Sequence, residues 1–430
     1  MRAYRLNNQT RRAPSVRRLS ASLLALTLAT TAACDKLLDV DNPASVPVDA
    51  LADPTLLPAL EAAAIQQFQC GFAAWVGTAG MLSGEYYSAN GFVNNHPWEW
   101  RGIVEIKDNP GSCNFNRTST FMGFYTPLQQ ARFQLEDTFK RAEAFTDAEV
   151  PTRAKILTEM RAYSGYALAI LGEGMCEMTV DNGPKMTKQE TWALAEERFT
   201  DAITRATALG GTDGTSLLNM ARVGRARVRL DLGNLTGAAA DAALVPSGFV
   251  RNAEYSEAAL TRENRLYNLT IRNKYISVTP AYRNLQVNGV ADPRVKAIAD
   301  GNGDDGVTPM WRQQKFIGST AAVNLPIASY AEAQLILAEA TGGQPGLDAI
   351  NRVRALSGIA PITTMPADFM ATLLEERRRQ LFSEGHRYVD MLRKNLPFSS
   401  GVDHKGRTIS NLTCVPLPNV EVQNNPNLQG

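Results

Sequence analysis

Between Glu85 and Trp100 the chain reads EYYSANGFVNNHPWEW, in which five aromatic residues are interleaved with Asn90, Asn94 and Asn95. Neither the helical period of 3.6 nor the strand period of 2 organises this stretch. A sugar ring presents an apolar C–H face that lies well on a flat aromatic ring, while its hydroxyls seek amide and guanidinium partners. Tyr86, Tyr87, Asn94, Asn95, Trp98 and Trp100 therefore have the chemistry of a carbohydrate platform. A second stretch, TPMWRQQKF, adds Trp311 and Arg312. The competing reading is that these rings cover a hydrophobic core beneath a long loop, since large exposed aromatics are uncommon. Geometry decides between the two, by whether Trp98 or Trp100 faces solvent and converges with Trp311.

Catalytic patterns are scarce. The sequence contains no G-x-S-x-G elbow and no H-E-x-x-H, and its three histidines, His96, His386 and His404, are far apart. Carboxylates are too plentiful for any pair to stand out as a glycosidase's acid and nucleophile. GNGDDG (301–306) matches the dinucleotide fingerprint G-x-G-x-x-G, but it follows no convincing strand and opens no helix. Asp304 and Asp305 would also repel a pyrophosphate. As a cation loop the segment lacks the EF-hand's glycine position and closing glutamate, so it reads as a turn. No catalytic residue, metal ligand or cofactor is predicted.

The N-terminus has the form of an export signal. Six arginines precede the apolar run LSASLLALTLATTAA, which is followed at once by Cys34. That run is shorter than the roughly 20 residues a spanning helix needs. Small residues directly before a cysteine resemble a bacterial lipobox, which makes Cys34 the expected acylated N-terminus and a membrane anchor. Without its six arginines the chain carries 38 basic against 43 acidic residues, a balance of −5 that argues against nucleic acid as a partner. Four further cysteines, Cys70, Cys113, Cys176 and Cys414, permit two disulfides in an exported protein. Three pairings are possible, and Cys70 with Cys113 is favoured because it closes the segment that holds the aromatic stretch.

These residues must be positioned by helices. Asp53 and Pro54 start the first, and periodic segments follow at 124–145 and 152–171. In the next segment Trp192, Ala195, Phe199, Ile203 and Ala206 step by three and four, marking a buried stripe. Trp75 and Trp192 fall in helical periods and read as core. Gly224 permits close helix approach in the segment that Gly233 ends. From 246 to 325 the helical period fades, and Gly, Asn, Asp and Pro accumulate around short β-prone pieces such as YISV. Helical patterns return from 326 to 396, including the run ADFMATLLEERRRQLFSEGHRYVDMLRKN. There Glu375–Arg379 and Glu384–Arg387 are spaced as helical ion pairs, and the charges read as a structural network. Consecutive helical hairpins of this size resemble tetratricopeptide repeats, without a clean 34-residue period.

The string ASYAEAQLILAEA…GLDAINRVRALSG…LLEERRRQLFSEGHRYVDMLRKN…CVPLPNVEVQNNPNL resembles the RagB/SusD family of outer-membrane nutrient-binding lipoproteins. CDKLLDVDNPAS is similar to the family's mature start and FYTPLQQA to its early tyrosine-bearing helix. Ser329 stands where the family usually has arginine, and Arg132 where asparagine is common. The resemblance implies an all-α fold: a signal peptide at 1–33, then one SusD-like domain at 34–430. That domain would have scaffold helices at about 53–245 and 326–396 and a loop-rich lobe at about 246–325. It further implies a lipid-anchored, surface-exposed outer-membrane protein that is not an enzyme. Such a protein binds an oligosaccharide or a related oligomeric nutrient and passes it to a SusC-like TonB-dependent transporter. Ligand contacts in the family come from an early loop and from the mid-chain lobe, where the two aromatic segments lie. The alternatives are a peptide-binding receptor of the same fold, a surface-anchored hydrolase, and a structural cover without a ligand site.

Overall fold

The computed structural model describes residues 50–92, 95–113 and 122–429; the expected signal segment, Cys34 and Asn94 lie outside them. Asp53 accepts the Thr55 amide at 2.9 Å and Pro54 follows, starting the chain into α1 (Leu57–Leu82). From Cys70 onward α1 is buried on every side, as befits a helix surrounded by others. After β1 (Tyr86–Ser88) come two short helices, α2 (Pro97–Trp100) and α3 (Ile103–Asp108). The scaffold then runs α4 (Tyr125–Glu143), α5 (Arg153–Gly174), α6 (Lys188–Leu209), α7 (Gly211–Asp231) and α8 (Leu235–Ala243). Each of these packs on the next, and α1 lies against α4 and α5.

The stripe on α6 lies as its spacing predicts: Trp192, Ala195, Phe199 and Ala206 are buried, with Ile203 half-buried. A capping box starts this helix, with Thr187 Oγ1 accepting the Glu190 amide at 3.2 Å and Glu190 Oε2 accepting the Thr187 amide at 2.7 Å. Phe199 fits because its neighbours lack side chains. A Cβ on Gly165 of α5 would stand 2.7 Å from the Phe199 ring, and one on Gly224 of α7 would stand 2.3 Å from it. Small residues on both flanking helices thus set the spacing of three consecutive helices.

The mid-chain lobe carries short antiparallel strand pairs. β2 (Val250–Ala253) precedes α9 (Arg265–Tyr267), and β3 (Ile276–Val278) pairs back with β1 in the register Tyr87↔Ser277. β4 (Gln286–Val287) and β5 (Val290–Ala291) form a hairpin, and β6 (Ala297–Asn302) pairs with β7 (Pro309–Gln313). β8 (Leu325–Ser329) returns to β2 and leads into α10 (Tyr330–Thr341). Ser329 caps α10, accepting the Glu332 amide at 3.1 Å. At 303–306 the chain turns, and Asp305 accepts from Thr308 and from Lys405, which uses up its carboxylate locally.

α11 (Gly343–Leu356) and α12 (Phe369–Gln380) pack on α10, then α13 (His386–Arg393) returns to α1, and α14 (Asn419–Asn424) lies in the tail. The periodic run from Ala367 to Asn395 is therefore two helices rather than one. Ser383 (φ 62°) and Gly385 (φ 83°) break it, and a Cβ on Gly385 would come within 2.6 Å of the Trp75 indole nitrogen. The break also redirects Glu384, which bonds Lys315 at 2.6 Å instead of pairing with Arg387. Around this corner the charges are buried and paired. Arg377 grips Asp390 through two 2.8 Å bonds, Arg393 reaches Glu339 at 2.7 Å, and Arg227 meets Glu332 at 2.7 Å.

Among the described residues one buried carboxyl has no ion-pair partner. Glu85, 1% exposed, accepts the Ser383 amide at 3.1 Å through one oxygen and leaves the other without a partner. Burial raises its pKa to about 7, against 4.5 for the free side chain. Between those values the native state holds a proton that the unfolded chain has lost, so stability falls as pH rises through this window. Glu85→Gln is expected to unfold at the wild-type temperature near pH 4, below the window, and at a higher one at pH 8, beyond it. Parallel thermal melts check this; a pH-independent offset between the two proteins would contradict it.

Candidate functional site

Strand alternation divides the aromatic stretch. On β1, Tyr86 turns inward and is buried, its hydroxyl hydrogen-bonded to Ser383, while Tyr87 turns outward. Ser277, opposite Tyr87, holds β7 against β3: its hydroxyl donates to the Pro309 carbonyl at 3.0 Å and accepts the Trp311 amide at 2.8 Å. The Tyr87 hydroxyl donates to the same Pro309 carbonyl at 2.6 Å. Tyr87 and Trp311 are thereby brought to one place.

Arg283 joins them. Its Nε and Nη2 donate to the Val278 carbonyl, and Nη2 also donates to the Tyr87 hydroxyl at 2.8 Å. The guanidinium lies 4.9 Å from the Trp311 ring centre and 5.5 Å from that of Tyr87, within cation–π range of both. Among the described residues Arg283 has no carboxylate partner and Nη1 makes no hydrogen bond.

The C-terminal tail supplies the rest. His404 meets Tyr87 edge-on at 4.7 Å, with Nδ1 2.9 Å from Glu99 Oε1 and Nε2 2.8 Å from the Ser88 carbonyl. Burial lowers the His404 pKa, but the Glu99 carboxylate and the Ser88 carbonyl outweigh it, and the net shift is upward. Lys405 donates to the Asn90 carbonyl at 2.6 Å and to Asp305 at 2.7 Å. Arg407 bonds His96 and lies 5.9 Å from the Trp100 ring centre. Burial and the charges of Lys405 and Arg407 push His96 down to about 4. The Arg101 guanidinium holds the Ser399 carbonyl at 2.7 Å, and the Ser410 amide bonds the Trp100 carbonyl at 2.9 Å.

Several predicted contacts are corrected by this arrangement. Trp98 is 1% exposed and packs near Phe124, because the one-turn helix α2 points it into the core. Tyr86 and Asn95 are buried too; the Asn95 side chain accepts the Met122 amide at 3.3 Å. Trp100 is half-buried beneath the tail and does not meet Trp311. Arg312, next to Trp311 on β7, falls on the opposite face of the ribbon, 3.9 Å from Asp300. Of the predicted set, Tyr87 and Trp311 converge. Phe92, outside that set, is 44% exposed and edge-on to Tyr275 at 5.1 Å. Arg283 and His404 are the residues the sequence reading missed. Arg283 follows a tyrosine in an irregular loop and His404 sits in an aperiodic tail, so no spacing connects either to Tyr87.

The two disulfides frame the region. Cys70 pairs with Cys113, and Cys176 pairs with Cys414, tying the tail to the end of α5. Beside the second bridge the Cys176 amide donates to the Val415 carbonyl at 2.8 Å.

Residues 243–411 match the family model described as the SusD family. No curated protein sequence matches the chain. Among solved structures it is similar to a SusD-like carbohydrate binding protein from Bacteroides vulgatus, at 15% identity over 87% of this chain and 97% of that one, with a TM-score of 0.63. A SusD superfamily protein from Bacteroides fragilis matches at 14% identity over 88% and 99%, with a TM-score of 0.64. Surface glycan-binding protein A from Bacteroides thetaiotaomicron, solved with laminarihexaose, matches at 13% identity over 87% and 98%, with a TM-score of 0.62. At these identities the structural likeness is one of fold, and that fold is the helical scaffold with its short-stranded lobe described above.

Proposed function

We propose that this chain is a member of the SusD/RagB family, whose model matches residues 243–411 and whose fold it shares, and that it binds an oligosaccharide at the surface between Tyr87, Trp311 and the 399–410 loop. It delivers the glycan to a TonB-dependent transporter in the outer membrane, where acylated Cys34 anchors it. The observation that carries the reading is the guanidinium of Arg283 held between Tyr87 and Trp311. A clamped cation fixes both rings and offers N–H donors beside an apolar surface, the pairing that a sugar's hydroxyls and C–H face require. The glycan ligand of the similar Bacteroides thetaiotaomicron protein supports the same class of ligand. Among the described residues no helix is long and apolar enough to cross a membrane.

Binding, not turnover, is the proposed activity. A glycan array and a peptide pool, each screened with the purified protein, test it. A glycan is expected to bind, and Trp311→Ala to weaken it by about 1–2 kcal/mol, roughly five- to thirtyfold. Peptide binding alone, or glycan affinity indifferent to both Trp311→Ala and Arg283→Ala, overturns the assignment. Palmitate labelling lost in Cys34→Ala is the matching test of the anchor.

A further inference from the structure

On the proposed glycan surface Arg283 is a cation with no counter-charge of its own. The Val278 carbonyl and the Tyr87 hydroxyl take its Nε and Nη2 hydrogens, and neither partner is an anion. Nη1 bonds nothing among the described residues and is open to solvent. A half-buried arginine ordinarily closes on a carboxylate, because a charge withdrawn from water is costly unless it is paired. This chain does so elsewhere: Arg225 bonds Asp241 at 2.7 and 2.8 Å, and Arg379 bonds Glu375 at 2.6 Å.

The carboxylates around this surface are engaged by other groups. Glu99 meets His404 Nδ1 at 2.9 Å through Oε1 and accepts the Ser88 amide at 2.8 Å through Oε2. Asp305 accepts from Lys405 at 2.7 Å and from the Thr308 hydroxyl at 2.6 Å. The Asp403 side chain, 1% exposed, lies 3.6 Å from Arg407 and accepts the amides of Lys405 and Arg407. Asp304 is exposed beside Tyr275. The Tyr275 carbonyl accepts the Ala89 amide beyond one end of the β1–β3 pair, whereas Val278, which holds Arg283, lies at the other. Both Nη1 hydrogens of Arg283 are thus offered to a ligand, from a guanidinium that its other bonds already fix, so little rotamer freedom remains to be lost on binding.

Building on the glycan surface assigned above, we propose that the ligand is an acidic oligosaccharide, whose anionic group sits on Arg283 Nη1 while its sugar ring lies beside Tyr87 and Trp311. The anion is a uronic acid's carboxylate or a sulfate ester, since both accept charge-assisted hydrogen bonds from a guanidinium. Either group projects from the edge of a sugar ring. One sugar residue can therefore present its C–H face to an aromatic ring and its charge to a cation held against that ring. The guanidinium lies 4.9 Å from the Trp311 ring centre and 5.5 Å from that of Tyr87, so charge and aromatic surface fall within the span of a single sugar. A neutral glycan would satisfy the N–H groups with its hydroxyls and leave the charge uncompensated.

The test is a binding screen of the purified protein against matched pairs of glycans, followed by calorimetry. Oligogalacturonate is set beside its carboxyl-reduced form, carrageenan oligosaccharides beside their desulfated form, and laminarin oligosaccharides serve as a neutral glucan. An acidic member is expected to bind roughly tenfold or more tighter than its own neutral form. That gap should narrow as salt rises from about 20 mM to about 500 mM. Which pair shows it distinguishes carboxylate from sulfate. Arg283→Gln is expected to bring the two members of that pair level, and a melt confirms that the variant is folded. The wild-type pairs decide the question of charge by themselves, whatever the variant does. Equal affinity within every pair, binding confined to neutral glycans, or a preference kept in folded Arg283→Gln overturns the acidic ligand and leaves the glycan surface standing. Binding of no glycan of either kind overturns both.

Discussion

Glu332→Ala is expected to destabilise the fold by about 3–5 kcal/mol, the range for breaking a buried ion pair by removing one partner. Arg227 and Glu332 are both under a tenth exposed, and the arginine Nε donates to the carboxylate at 2.7 Å. On the other side of the guanidinium, Nη2 lies 3.1 Å from His386 Nε2. Burial and then Arg227 itself hold His386 well below its ordinary pKa, so that ring is neutral and cannot compensate a charge. With Glu332 gone, Arg227 is left with Glu173 at 3.9 Å, a carboxyl that burial keeps protonated at neutral pH. The double variant Arg227→Met/Glu332→Leu removes both charges and is expected to recover most of the loss. Urea unfolding at constant m-value measures all three proteins. Equal destabilisation in the single and double variants would falsify the charge argument and leave packing as the cause.

The second large effect is expected from Cys176→Ala/Cys414→Ala. This bridge spans 238 residues and the Cys70–Cys113 bridge 43. Loop-closure entropy then assigns about 5.5 kcal/mol to the longer bridge and about 4 kcal/mol to the shorter, as upper estimates. Losing the longer one also frees the tail that brings His404, Lys405 and Arg407 to β1, so glycan affinity should fall together with stability. Denaturant unfolding of the two double-alanine proteins gives the order. A smaller cost for the longer bridge, with the tail still protease-resistant, would contradict it.

The scaffold was legible because helical burial repeats at short range. The stripe from Trp192 to Ala206, the core position of Trp75 and the close approach at Gly224 all follow from neighbours three or four residues apart. The charged C-terminal run was legible as a network, but its partners were not. Glu384 found Lys315, 69 residues away, because Gly385 broke the helix that would have offered Arg387. At the candidate site the aromatic types were informative and their directions were not. Trp98 and Trp100 differ by two residues, yet a four-residue helix buries one and leaves the other under the tail. Tyr87 was separable from Tyr86 once β1 was known to be a strand, but three residues between turns carry too little pattern to announce one. Arg283 and His404 reach Tyr87 from distant, aperiodic segments, the first through the pairing of β1 with β3 and the second through the C-terminal tail.

The pairing of Cys176 with Cys414 also sets an order of events in synthesis. A chain emerging from its N-terminus delivers Tyr87 first, and Arg283 196 residues later. His404, which bonds the Ser88 carbonyl across 316 residues, comes near the end. The Cys176 thiol waits through 238 residues before its partner exists. The hairpins of the scaffold can close locally as they appear, whereas the surface around Tyr87 cannot form until almost the whole chain is present. Binding at the proposed site would thus require synthesis through His404, and removal of residues 401–430 is expected to leave the scaffold helices in place and abolish recognition.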